Sequence, residues 1–144
     1  MGIRQISVFL ENKTGQLLDV VNLLAEKEIN LRALSIADTQ DFGILRMIAD
    51  RPEDVSQVIA EAGYICRLTE VIAVRVPDEP GMLAKILRVL SANGIGIEYS
   101  YAFTSGTPGN AYVVFRVDDN AATAALLAGE GIHVANQTEI FGHN

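Results

Sequence analysis

The chain has one cysteine, no tryptophan and four prolines, and only eleven basic side chains against eighteen acidic ones in 144 residues. A lone cysteine, Cys66, excludes a disulfide framework and a thiolate metal site within one chain. It sits in an apolar stretch, Tyr64 to Leu68, which predicts a small core residue rather than a reactive thiol. The shortage of basic residues leaves a formal net charge of -7. That is the wrong sign for displacing counterions from nucleic acid or for adhering to an anionic membrane. No apolar signal core follows Met1-Gly2-Ile3-Arg4-Gln5. The uncharged run from Tyr99 to Phe115 is broken by Ser, Thr, Gly, Pro and Asn, so it does not read as a membrane span. These absences predict a cytoplasmic protein. Without a secretion signal, Asn12-Lys13-Thr14 and Asn136-Gln137-Thr138 are chance matches to a glycosylation triplet. The length suits one ordinary domain or two small ones and is too short for a dinucleotide-binding or barrel enzyme with a full active-site lid.

What is abundant is apolar. Hydrophobic residues make up 49% of the chain and the mean hydropathy is +0.24. Such a composition predicts apolar surface that a partner covers, and we expect a homodimer.

The most informative feature is a repeat. Displaced by 66 residues, the chain matches itself at Ile6/Ile72, Val8/Val74, Gly15/Gly81, Leu17/Leu83, Leu24/Leu90 and Ile29/Ile95. Each copy opens on a period-two strand, Ile6-Val8-Leu10 and Ile72-Val74-Val76. A polar turn follows, Glu11 to Gly15 and Pro77 to Gly81. A helix comes next, with apolar residues at Leu17, Val20, Val21 and Leu24, and again at Leu83, Ile86, Leu87 and Leu90. Two strands should then pair, about Asn30–Ala37 with Gly43–Ala49, and Gly96–Phe103 with Ala111–Val117. The second hairpin is longer, so the offset grows to 68 residues. Pro52 with Glu53 and Asp54 starts a second helix; its counterpart runs from Asn120 to Ala128. A last strand closes each copy, Tyr64–Leu68 and Ile132 to about Phe141.

Each copy is therefore β-α-β-β-α-β, the ferredoxin-like order. The fold class is α+β: two tandem units, residues 1–69 and 70–144, each an antiparallel sheet with helices on one face. No Gly/Ser/Pro spacer separates them between Arg67 and Val71, so independent tumbling is not expected.

No catalytic constellation is visible. There is no nucleophile elbow, no phosphate-binding loop and no Cys–His pair close in sequence. His133 and His143 lack metal-ligand spacing, and Gly94-Ile95-Gly96 follows a helix rather than a strand. We expect no metal, no cofactor and no enzymatic activity. The two strand-to-helix turns stand out instead. Gly15 and Gly81 precede helix N-termini, whose unpaired N–H groups attract a carboxylate. Asn12 in one copy, and Asp78 and Glu79 in the other, are beside them to receive an ammonium. The alternative is an ordinary turn with an Asn or Asp cap.

Asp78-Glu79-Pro80-Gly81-Met82-Leu83, with its flanking strand and helix and the later Gly94-Ile95-Gly96-Ile97, resembles an ACT domain. Asn12-Lys13-Thr14-Gly15-Gln16-Leu17 and Glu28-Ile29-Asn30-Leu31 resemble the same pattern. The resemblance covers nearly the whole chain as two tandem ACT units. It implies a regulatory fold that binds an amino acid or related small molecule at unit interfaces. The binding residues it implies are Asn12, Thr14, Gly15, Gln16, Leu17 and Asn30 in copy one, and Asp78, Glu79, Pro80, Gly81, Met82, Leu83, Gly96 and Ile97 in copy two. Copy two has Gly96 where the family often has Asn, and copy one has Thr14 where it usually has Pro, so two equal sites are not implied. One hybrid site, of the copy-two turn with Asn30, stays open. The resulting expectation is a non-catalytic sensor acting on a separate enzyme or regulator. The alternatives are an interaction subunit without a working pocket, and a small enzyme on a ferredoxin-like fold.

Overall fold

A computed structural model describes residues 2–11, 13–38, 42–104 and 108–141, with only the backbone of Asp38. The expected turn at Thr39-Gln40-Asp41, the middle of the second hairpin loop, His143 and the candidate ligand contact Asn12 lie outside the described residues. Two compact units are present, Arg4–Thr69 and Glu70–Asn144, the latter with Met1–Ile3. Seven strands and five helices run β1 (Ile3–Glu11), α1 (Gln16–Glu26), β2 (Leu31–Asp38), β3 (Phe42–Ala49), α2 (Pro52–Glu61), β4 (Ile65–Pro77), α3 (Met82–Ala92), β5 (Tyr99–Phe103), β6 (Asn110–Arg116), α4 (Asn120–Gly129), β7 (Val134–Ala135) and α5 (Gln137–Phe141). The thirteen-residue β4 ends one copy and begins the next.

In the Arg4–Thr69 unit, β3 lies between β2 and β1, antiparallel to both. Val8 faces Leu45 and Ile6 faces Met47 across the β1–β3 ladder. These side chains share a face and are buried with Val20 and Leu24 of α1 and Val55 and Ile59 of α2. In the Glu70–Asn144 unit, β6 lies between β4 and β5, and β7 pairs with the other edge of β4. Ile72 faces Phe115 and Val74 faces Val113, above Ile86 and Leu90 of α3 and Leu127 of α4. Of the helix stripes expected from the sequence, Val20 and Leu24 in α1 and Ile86 and Leu90 in α3 are buried, as a period of 3.6 allows; Leu17, Leu83 and Leu87 are exposed. Cys66 is half-buried against the first of these cores, its thiol near the Ser56 carbonyl at 3.4 Å.

The C-terminal end departs from expectation. A strand was expected from Ile132 to about Phe141, but β7 is two residues long and a helical turn follows. Asn136 is the cause. Its Oδ1 accepts the Glu139 N–H at 2.8 Å and its carbonyl accepts the Ile140 N–H at 3.2 Å. Asn136-x-x-Glu139 is thus a capping signal of the kind that starts helices. β5 likewise begins at Tyr99 rather than Gly96, so Gly96 and Ile97 lie in the connection before it.

The two α1-type helices end alike. Ile29 N–H and Ile95 N–H each reach back to a leucine carbonyl, Leu24 and Leu90, at 3.0 Å. The residue before each is left-handed: Gly94 has φ 69° and Glu28 has φ 55°. Glycine adopts this conformation without penalty, whereas a side chain costs about 1–2 kcal/mol. Arg51 secures the strained end by donating to the Lys27 and Glu28 carbonyls at 3.0 and 3.1 Å. Glu28→Gly is therefore expected to raise stability by about 1 kcal/mol, read as a higher urea midpoint at unchanged slope.

Candidate functional site

The repeat extends to individual hydrogen bonds at the two strand-to-helix turns. Lys13 N–H bonds to the Glu11 carbonyl and Glu79 N–H to the Pro77 carbonyl, both at 2.8 Å. Asp19 N–H reaches the Gly15 carbonyl at 2.9 Å and Lys85 N–H the Gly81 carbonyl at 3.0 Å. Gly15 (φ 93°) and Gly81 (φ 89°) are the N-caps of α1 and α3. Among the described residues neither helix receives a side-chain cap. A Cβ placed on either glycine would meet nothing within 4 Å, so conformation and not crowding calls for glycine, and the helix end is open to approach. The alternative of an Asp78 cap is absent: its backbone N–H donates to the Gly109 carbonyl at 2.9 Å, and its carboxylate is exposed with no partner among the described residues.

The copies differ in detail. Gln16 folds back so that its Oε1 accepts the Glu11 N–H at 2.8 Å. Pro77 and Met82 occupy the matching positions, and the bond has no counterpart there because proline has no N–H and methionine no amide. Thr14, Gly15, Leu17, Asp78, Glu79, Pro80, Gly81 and Leu83 are exposed; Gln16 and Met82 are half-buried. Asn30 is exposed, and its carbonyl takes the Asp50 N–H at 3.4 Å. Gly96 and Ile97 line a separate open depression with Glu98 and Arg116, away from the Gly81 turn in sequence and lining.

Beside each turn the repeat also builds a cleft. In the Glu70–Asn144 unit it measures about 170 Å³, floored by Met82, Ile86 and Ile132 and rimmed by Arg75, Lys85 and His133. The matching positions in the Arg4–Thr69 unit hold Phe9 for Arg75, Gln16 for Met82, Tyr64 for Ile132 and Ile65 for His133, around a cleft of about 440 Å³. The geometry is repeated and the chemistry is not: one cleft is cationic, the other aromatic and aliphatic.

The cationic rim is organised by α5. Glu139 Oε1 lies 2.6 Å from His133 Nε2, and Glu139 Oε2 accepts the Tyr112 hydroxyl at 2.7 Å. Arg75 Nη1 is 3.7 Å from the same carboxylate. Tyr112 is steadied by stacking on Phe103, with ring centroids 5.4 Å apart. Partial burial pushes the Glu139 carboxyl up, but the hydrogen bonds from His133 and Tyr112 and the charges of His133 and Arg75 together hold it below its ordinary 4.5. A carboxyl depressed in the folded state adds stability above its unfolded pKa and loses it as pH falls through the folded value. Stability is thus expected to decline as pH drops through 4.5 and below, and Glu139→Gln should flatten that part of the profile, measured as urea midpoints from neutral pH down to about pH 3.

Sequence reasoning missed this cluster. Its members are spread from Arg75 to Glu139, and the pairing of β4 with both β6 and β7 and the α5 turn bring them together; the readable signal was Asn136-x-x-Glu139. Among the described residues no group of three or more His, Cys, Asp or Glu side chains is placed to hold a metal ion. No helix among them is long and apolar enough to cross a membrane.

Two ferredoxin-like units in tandem, each with a glycine turn at a helix N-terminus, define the class of fold. The chain belongs to the ACT domain pair family, which it matches over residues 1–140. It is similar to a protein from Bacteroides thetaiotaomicron of known crystal structure, with 36% identity, a TM-score of 0.91, and coverage of 99% of this chain and 97% of that one. It also shares its fold with the regulatory subunit of aspartate kinase from Thermus thermophilus, at 16% identity, TM-score 0.66 and coverage of 90% and 93%. The corresponding subunit from Thermus flavus has 18% identity, TM-score 0.63 and coverage of 91% and 92%. No protein with a curated description matches the chain.

Proposed function

We propose that the protein is a non-catalytic regulator that binds an amino acid or related small molecule at the interfaces of its ACT units, residues 1–69 and 70–144, and acts on a separate partner. The observation that carries this reading is the doubled turn: a left-handed glycine N-cap, no side-chain cap and free space at both Gly15 and Gly81. Helix N–H groups there suit a carboxylate, and the Asp78 carboxylate, without a partner among the described residues, is near enough in sequence to meet an ammonium. The regulatory subunits of aspartate kinase have this fold, which supports a regulatory role. The proposal includes a cytoplasmic location and a homodimer; exposed apolar side chains, among them Leu18 at 62%, Phe42 at 57% and Ile65 at 69%, support the dimer, whose second copy would complete the site around the exposed turn residues.

A thermal-shift screen of the twenty amino acids, followed by calorimetry on Asp78→Ala, tests it. The expected result is a ligand whose affinity falls about tenfold in the variant, roughly one lost charge-assisted contact, with a melting temperature close to the parent's because no cap is lost. Unchanged affinity with a lowered melting temperature would return the turn to plain structure. A screen in which no amino acid raises the melting temperature favours the interaction subunit without a pocket.

A further inference from the structure

We propose that the cationic cleft of the Glu70–Asn144 unit is a second binding site, beside the glycine turn and sharing Met82 with it, for a small carboxylate with a short apolar body. Three observations meet there. The cleft of about 170 Å³ is well below the roughly 300 Å³ at which pockets for drug-sized molecules begin, which selects a ligand of several non-hydrogen atoms. Its floor of Met82, Ile86 and Ile132 is apolar, while Arg75, Lys85 and His133 stand on the rim. In a chain of formal charge -7, that is a local reversal of sign, and clefts of one sign concentrate the opposite one.

The rim already recognises a carboxylate. Glu139 is held by His133 at 2.6 Å and by Arg75 at 3.7 Å, and Tyr112 donates to it at 2.7 Å. Lys85 has no carboxylate partner among the described residues. Arg75 makes one long contact to Glu139, leaving most of its five donors for a second, bidentate acid. Glu139 therefore acts as a built-in competitor that keeps the Arg75 and His133 side chains in place and moderates their pull on a ligand.

The repeat supplies the internal control. At the same positions the first copy has Phe9 for Arg75, Asp19 for Lys85 and Ile65 for His133. A cleft that merely followed from the fold would not need its rim re-charged in one copy only. The first cleft takes no carboxylate; the second does.

The probe is 3-methylbutanoate, titrated into the whole protein and followed by calorimetry and by amide chemical shifts. Shifts are expected at Gly131, Ile132 and His133. Arg75→Gln and His133→Gln should each weaken binding at least fivefold, and Glu139→Gln should strengthen it severalfold. Arg75 and His133 have exposed side chains, so their variants should stay folded, with a melting temperature lowered only by the loss of their contacts to Glu139. Asp78→Ala should leave this binding unchanged, which separates it from any amino acid at the glycine turn. The proposal is overturned if 3-methylbutanoate does not bind. It is also overturned if 3-methylbutylamine or inorganic phosphate binds as well as the acid does, or if the Arg75 and His133 variants bind like the parent. Shifts confined to Asp78–Leu83, with loss of binding in Asp78→Ala alone, would likewise refute it and assign the acid to the turn.

Discussion

Gly81→Asp is expected to abolish most amino-acid binding at the second turn while leaving the protein folded. The added carboxylate would stand at the N-terminus of α3, where the ligand's own carboxylate is proposed to sit. Like charges at that range oppose each other by several kcal/mol at an effective dielectric of about 20, so a loss of more than a hundredfold in affinity is the expected reading. The folded state suffers far less. A side chain at φ 89° costs about 1–2 kcal/mol, of which an acid beside a helix N-terminus recovers about 0.3–1 kcal/mol. No clash adds to this, because a Cβ there has nothing within 4 Å. Gly81→Ala separates the effects: it keeps the strain and lacks the charge, so it should lower the melting temperature comparably and reduce affinity only modestly. Calorimetry of both variants beside their thermal melts checks the pair; equal affinities in the two would remove the carboxylate from this helix end. Gly15→Asp, made in parallel, reports whether the first turn binds as well.

The largest expected stability effect is at Phe115. It is 1% exposed, sits on β6 opposite Ile72 of β4 and Ser100 of β5, and belongs to the core under α3 and α4. Phe115→Ala removes a whole ring from a site whose walls are two strands and two helices, which relax little into the gap. A loss of about 3–5 kcal/mol is expected, a large share of the marginal stability of a small domain. Urea unfolding should show it as a lower midpoint. Because Ile86 and Leu90 anchor α3 in this same core, amino-acid affinity at the Gly81 turn should also fall. A loss under about 1 kcal/mol would mean that the ring is not packed as described.

The depth of legibility varied along the chain for physical reasons. The helices were plain because burial against one sheet face demands a stripe at helical spacing, and Val20, Leu24, Ile86 and Leu90 supply it. The helix-facing set of each first strand was legible for the same reason: a period of two groups Ile6-Val8-Leu10 and Ile72-Val74-Val76, and both sets lie in the cores. The last segment was misjudged because apolar residues around Ile132 and Ile140 fit either period over so short a run, and the local bonds of Asn136 decided between them. The left-handed end at Glu28 was hidden because glycine marks such a position and glutamate does not.

The sequence by itself determined the repeat, the order of elements in each unit, and the two glycine turns as the places where a helix end meets solvent. Those are local or periodic properties, written in neighbouring residues. The tertiary structure decided that, among the described residues, neither turn has a side-chain cap and the Asp78 carboxylate has no partner, and that Arg75, Tyr112, His133 and Glu139 converge. It also decided that equivalent clefts carry different chemistry. These depend on which strands pair and where a short helix turns back, and a pairing between residues far apart in the chain has no signature in either neighbourhood alone.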